Sequence, residues 1–233
     1  MLPGRVSRPR VRAPRPRSGS ASPGPSRRRF AAMKTHETKT KTSIPAGRCK
    51  GTLLVNLRSF VTTTRDAGAW ERLVTSLPKS DRDVLSQPLL ASSWYPIGVW
   101  NRALRTHART ASDQTAELKR FARYVADRDL NTVLKFALSI AMPDTIVART
   151  GMFWSRYFDS GKVFPRMVKP REWVLTITGP TGDDEGPSAM NCGEGVCGWV
   201  EQALLLCGAS TPKVTHQRCR FRGATECLSE VVW

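Results

Sequence analysis

Apolar residues recur at three- and four-residue spacing through the middle of the chain and at two-residue spacing near its end. The first spacing lines one face of a helix and the second one face of a strand. Trp100, Ala103, Leu104 and His107 predict a helix over residues 99–109, entered through Trp94-Tyr95-Pro96-Ile97. Leu118, Phe121, Ala122 and Val125 predict another over residues 112–126. Asp129 reads as the cap of a third, with Leu130, Val133, Leu134, Ala137, Leu138 and Ala141 as its stripe, broken at Met142-Pro143-Asp144. Ile146, Val147, Thr150, Trp154, Tyr157 and Phe158 form a fourth stripe, with Gly161 just beyond it. Shorter helices are expected over 69–74, stopped at Leu77-Pro78, and after Ser80-Asp81, where acids fall in the first turn.

Other segments have the β-branched, alternating character of strands. These are residues 51–57, running on into a short helix through Phe60-Val61, then Lys162-Val163-Phe164 and residues 173–178. Val196, Trp199, Val200, Ala203, Leu204 and Cys207 make one more helical stripe, closed by Gly208 as a C-cap. Two strands finish the chain, and a hairpin turning at Gly223 would set Cys219 opposite Cys227, close enough to share a metal or to pack together. The order implies an α/β (α+β) domain: helices packed on a small, mostly antiparallel sheet, with room for an apolar cavity between them.

Charge separates a tail from this domain. The formal charge is +18, and residues 1–50 carry thirteen of those net charges. Residues 1–47 are a Pro/Arg/Ser-rich segment with little to bury, expected to be disordered. Residues 48–233 then form a single ligand-binding-like domain. A basic tail is a candidate arm for nucleic acid, but a linker, or a true start at Met33, is the plainer account. Nucleic acid is therefore not an expected partner of the domain itself. No apolar run has the length of a membrane span or the form of a signal peptide, so a cytoplasmic protein is expected. Six cysteines in a chain of this length do not make a disulfide scaffold; in a reducing compartment they pack, bind metal or respond to redox change.

His107 shares its face with Trp100, Ala103 and Leu104, so it is a candidate to ligate haem or orient a polar ligand group; a hydrogen-bonded core histidine is the simpler account. Trp94, Tyr95, Trp100, Phe121, Trp154 and Tyr157, with His107, are the candidate walls of a hydrophobic pocket. Aromatic stripes at this spacing also build ordinary cores. Arg105 and Arg109 are expected to face solvent, and Asp183-Asp184-Glu185 to sit in an exposed loop. No nucleophile motif, phosphate cradle or spaced carboxylate pair stands out, so the chain is not expected to be an enzyme.

The cysteine near 192, the apolar helix ending in Gly208, and then Cys219, Gly223 and Cys227 resemble the 4-vinyl reductase-type small-molecule-binding domain. That domain belongs to a fold group that includes haem nitric-oxide-binding domains and TRAPP transport-complex subunits. The layout from Lys50-Gly51 through Trp94-Tyr95-Pro96 to Trp233 also resembles an uncharacterised bacterial group of this type, over about residues 48–233. The resemblance implies a homodimer-prone sensor or scaffold that binds a small, often hydrophobic ligand and signals through a partner still to be identified. It also implies a structural zinc site. Carried over by position, Cys219 and Cys227 match both hairpin ligands and Cys192 the ligand before the long helix, with Cys197 as a rival. His216 stands where the relatives have a carboxylate, and a Cys₃His set is sound for zinc. Residues three apart in a regular strand point to opposite faces, so His216 can join Cys219 only through a bulge or irregular turn. The alternatives to a sensor are a non-enzymatic scaffold with a filled core and an enzyme acting on a tetrapyrrole.

Overall fold

The computed structural model describes residues 46–133 and 142–233. Residues 1–45 of the basic tail, Met33 among them, and the stripe positions in 134–141 lie outside them.

A short strand β1 (Arg48–Lys50) pairs antiparallel with β2 (Trp94–Pro96). Between the two lie helices α1 (Gly51–Thr64), α2 (Ala69–Thr75) and α3 (Lys79–Leu85). The segment expected to begin as a strand is thus helical from Gly51. Leu53, Leu54, Leu57, Phe60 and Val61 are all buried, a spacing of three and four that fits a helix packed on one side. The apolar run was compatible with either state, and burial against the helical layer selected the helix.

Four further helices follow: α4 (Ile97–Ala108), α5 (Gln114–Val133), α6 (Pro143–Ala148) and α7 (Thr150–Tyr157). Helix α5 runs straight through Asp129, so this residue is not a cap. Its carboxylate accepts hydrogen bonds from Asn56 Nδ2 (3.2 Å) and the Tyr157 hydroxyl (2.6 Å) instead. The stripe expected to form one helix over 146–158 is two, because the chain leaves helical geometry at Arg149 (φ −100°, ψ 5°).

Strands β3 (Lys162–Lys169), β4 (Glu172–Thr178), β5 (Lys213–Arg218) and β6 (Cys227–Val232) form one antiparallel sheet in the order β3-β4-β6-β5. Trp173, Leu175 and Ile177 of β4 alternate with half-buried residues and turn one face of the sheet toward the core. A π-helical turn (Asn191–Gly195) leads into α8 (Val196–Leu206), and Gly208 follows with φ 86°, the left-handed conformation a helix end favours. Gly198 lets α8 lie directly on α5: a Cβ there would fall 2.5 Å from the Lys119 carbonyl oxygen. The fold is therefore α+β, with two small antiparallel sheets and eight α-helices among the described residues. No helix among them is long and apolar enough to cross a membrane.

The acidic loop is less free than its composition suggests. Asp183 pairs with Arg105 (2.7 Å) and Asp184 with Arg102 (2.9 Å), which also clamps the buried Asp81 (2.6 Å). Arg105 thus ties the loop to α4 rather than simply facing solvent.

Candidate metal centre and apolar cavity

The π-helical turn, the end of β5 and the start of β6 meet at one point. Cys192, His216, Cys219 and Cys227 each bring one donor atom there, and all four atoms lie within 4.8 Å of one another. The obstacle in the sequence was the three-residue step from His216 to Cys219. On β5, His216 pairs with Ser229 and Arg218 with Leu228, so two residues of β5 span what one residue of β6 spans. Such a bulge shifts the alternation by one and brings side chains three apart to the same side. Beyond the strand, Cys219 leads into a single 3₁₀ turn (Arg220–Arg222), and Gly223 takes φ 91° to reverse the chain.

The three sulfurs are free thiols, with Cys192 Sγ and Cys227 Sγ 3.2 Å apart. A tetrahedral zinc with Zn–S bonds of about 2.3 Å would space its sulfurs by about 3.8 Å, so ligation needs shifts of less than about 1 Å. His216 packs against the turn, where a Cβ on Gly193 would meet its Nδ1 at 3.1 Å. Its Nε2 is buried without a hydrogen-bond partner. A buried nitrogen in that state is costly unless a ligand or water completes it, and the donor set fits a metal ion. Burial pushes the Cys192 thiol well up, reinforced by Cys227, so metal binding at this site would release protons. Arg220, itself buried, aims its backbone N–H (3.4 Å) and its Nη1 (3.5 Å) at Cys227 Sγ. Cys197 lies outside the cluster in the first turn of α8, where burial raises its thiol to about 12.

The same π-helical turn forms part of the wall of a cavity of about 90 Å³ between the helices and the sheet. Trp100, Phe121, Trp154 and Tyr157 line it, joined by Asn191 and Val196. Every polar side chain of these walls is already engaged. Trp100 Nε1 donates to Asn191 Oδ1 (2.9 Å), and Trp154 Nε1 to the Ser160 carbonyl (3.1 Å). Tyr157 donates to Asp129 Oδ2 and accepts from Trp199 Nε1 (3.2 Å), while Thr150 Oγ1 donates to the Val147 carbonyl (2.9 Å). What remains facing the space is hydrocarbon.

Three of the expected wall residues stand elsewhere. Trp94 belongs to the β1–β2 ribbon and is 36% exposed, with the Lys50 ammonium 4.7 Å above its ring. Tyr95 packs its ring on Gly51, and its hydroxyl accepts from the Leu90 backbone N–H (2.9 Å). Pairing with β1 holds both away from the cavity. His107 is buried but turned the other way: its Nε2 lies 3.1 Å from Glu117 Oε1, and Phe60 meets its ring edge-on.

Burial is the largest influence on His107 and pushes its pKa down; Glu117 pulls it up, while Arg65 and Arg120 push it down further. A depressed folded-state value means that the unfolded chain takes up the proton first on acidification. Stability is then present above the ordinary histidine value of 6.5 and is lost as pH falls below it toward the folded value. Thermal melts between pH 7 and 5 are expected to show Tm falling with pH by about a few degrees, and His107→Gln to flatten that slope. An equal slope in the variant would remove His107 as the cause.

Several contributors carried no signal in the sequence. Asn191 binds Trp100, Asn101 Oδ1 (3.2 Å) and Ser188 Oγ (3.0 Å), yet nothing in its neighbourhood marks it. Arg220 reads as one more surface arginine until its burial is seen. Val196 and Trp199 were visible only as members of a helical stripe.

Fold and site together define a class: an α+β domain with an apolar cavity beside a cluster of metal-ligand residues. No family model matches the chain, and no curated protein matches it. Among the solved structures it resembles are H-NOX proteins. A triple mutant of the S. oneidensis protein, in the Fe(II) ligation state, is 12% identical with a TM-score of 0.62, over 78% of this chain and 95% of that one. The unliganded Fe(II) protein from K. algicida is 11% identical, TM-score 0.59, over 78% and 95%. The IWP-051-bound H-NOX from Shewanella woodyi, in the Fe(II)CO state, is 9% identical, TM-score 0.57, over 78% and 94%. At such identities the likeness is one of fold.

Proposed function

We propose that this chain is a non-enzymatic sensor domain that takes a small, uncharged, apolar molecule into its cavity and holds a structural zinc on Cys192, His216, Cys219 and Cys227. The carrying observation is the cavity wall, whose polar side chains are all satisfied from within. A charged or strongly polar ligand would find no partner there, and an apolar one loses nothing by entering. The zinc reading is supported by the orphaned Nε2 of His216 and the bulge that turns it toward the sulfurs. It agrees with the hairpin pattern of 4-vinyl reductase-type domains. Asn191, on the cavity wall, and Cys192, in the metal cluster, are adjacent in one π-helical turn. Occupancy of the cavity therefore bears on the metal site, and the output passes to a second copy or a separate cytoplasmic partner.

The H-NOX neighbours are described with iron ligation states, and others of the group with haem. Haem does not fit the residues present here. The cavity wall holds neither histidine nor cysteine, the Tyr157 hydroxyl is committed to Asp129 and Trp199, and His107 faces Glu117. A space of about 90 Å³ is also well under the ~300–1,000 Å³ of ordinary ligand sites. The same small volume favours the second reading, a scaffold with an essentially filled core.

Xenon and benzene, which enter dry apolar cavities, separate the two. Titration of the full chain, followed by ¹²⁹Xe and protein NMR, is expected to show saturable binding. Val196→Phe, which fills the space from the wall, should weaken it about tenfold or more, or about 1.4 kcal/mol. Absence of binding by either probe would replace the sensor with the scaffold.

A further inference from the structure

A second space lies against the outer side of α7 and is chemically unlike the first. Its volume is about 310 Å³, the lower end of the range of ~300–1,000 Å³ for small-molecule sites. Lys50, Arg156 and Ser92 line it together with Asp129, Phe153 and Tyr157. We propose that this cleft is a second binding site, for a small organic carboxylate held between Lys50 and Arg156 with its carbon skeleton against Phe153 and Tyr157.

The charges select the ligand. Lys50 is half-buried and, among the described residues, its charge meets the Trp94 ring and no carboxylate, which leaves its positive charge uncompensated. Arg156 has no ion pair among the described residues. Asp129 is the one carboxylate among the described lining residues, and both of its oxygens are taken, by Asn56 and by Tyr157. Two cations and one committed anion among the lining residues suit a monoanion. A dianion such as a phosphate would be repelled by Asp129, with no third cation among the described lining residues to offset it. The planar guanidinium matches a carboxylate in two-pronged geometry, and the aromatic wall asks for an apolar body. Phe153 and Tyr157 line both spaces, and the Asp129–Tyr157–Trp199 hydrogen bonds run between them. A carboxylate in the cleft is thus placed to alter the wall of the apolar cavity. The site depends on neither the zinc nor the apolar ligand.

Calorimetric titration of the full chain with benzoate and hexanoate tests it, with benzamide as the uncharged counterpart and inorganic phosphate as the dianion. Benzoate is expected to bind, with benzamide and phosphate at least about tenfold weaker. Lys50→Met and Arg156→Met should each weaken benzoate about tenfold while leaving Tm, zinc content and xenon binding unchanged. The proposal is overturned by equal affinity for benzamide, by tighter binding of phosphate, by unchanged benzoate affinity in both variants, or by no carboxylate binding up to about 10 mM. Failure of the sensor reading would show instead in the xenon and zinc measurements.

Discussion

Cys227→Ser is expected to strip the full chain of about one zinc per molecule and to lower its Tm by about 10 °C or more. Cys227 is fully buried at the start of β6, touching Cys192 Sγ and receiving two N–H groups of Arg220. Serine offers a harder, shorter donor that a zinc-thiolate site does not accept in its place. The four donors come from three separate segments, so the metal would cross-link the π-helical turn to both strands of the hairpin. The cluster is also built into a buried core, so only part of the ~10–16 kcal/mol of zinc-finger sites appears as stability here. Elemental analysis and calorimetry on the wild type, Cys227→Ser and Cys219→Ser decide the matter. Cys207→Ser, at the half-buried end of α8, serves as the control and should keep its metal. A wild type that is zinc-free and melts as high as after zinc is supplied would reduce the cluster to packed thiols.

Trp100→Ala is expected to cost about 3–5 kcal/mol, the range for truncating a large buried aromatic. Trp100 is 1% exposed, packs on Phe121 and closes one side of the cavity. Its removal also leaves Asn191 Oδ1 without its indole donor. At about 2–4 °C per kcal/mol for a domain of this size, Tm should fall by about 10 °C. The enlarged space should then take molecules bigger than benzene. Trp100→Phe separates the two causes: it restores most of the packing but not the hydrogen bond, and should retain a loss of about 1–3 kcal/mol. Urea unfolding checks both variants. A loss under about 1 kcal/mol in Trp100→Ala would mean that the walls collapse into the gap and that no persistent cavity exists.

Much of the fold was legible because its helices are amphipathic. Trp100 through Leu104, Leu118 through Val125 and Trp199 through Leu204 each bury the stripe their spacing defines. Strand β4 likewise alternates as its sequence does. The α1 segment was misread because a short apolar run has no unique period, and the break at Arg149 carries no glycine or proline to announce it. For the candidate sites, type of residue was readable and direction was not. Trp94, Tyr95 and His107 are aromatic or imidazole side chains in the right neighbourhood, but β-pairing with β1 and the Glu117 carboxylate turn them elsewhere.

By itself the sequence determined the helix–sheet layering and the turns at Gly208 and Gly223, because these depend on local periodicity and side-chain type; the ligand set of Cys192, His216, Cys219 and Cys227 came from the family resemblance, with Cys197 as a rival. Only the tertiary structure decided whether those four could meet. Cys192 is separated from Cys227 by thirty-five positions, and their contact exists because α8 packs on α5 and swings the π-helical turn against the hairpin. His216 joins them through a bulge whose register is set by the partner strand β6. Long-range packing and cross-strand register are properties of the assembled chain, and no local pattern of residues encodes them.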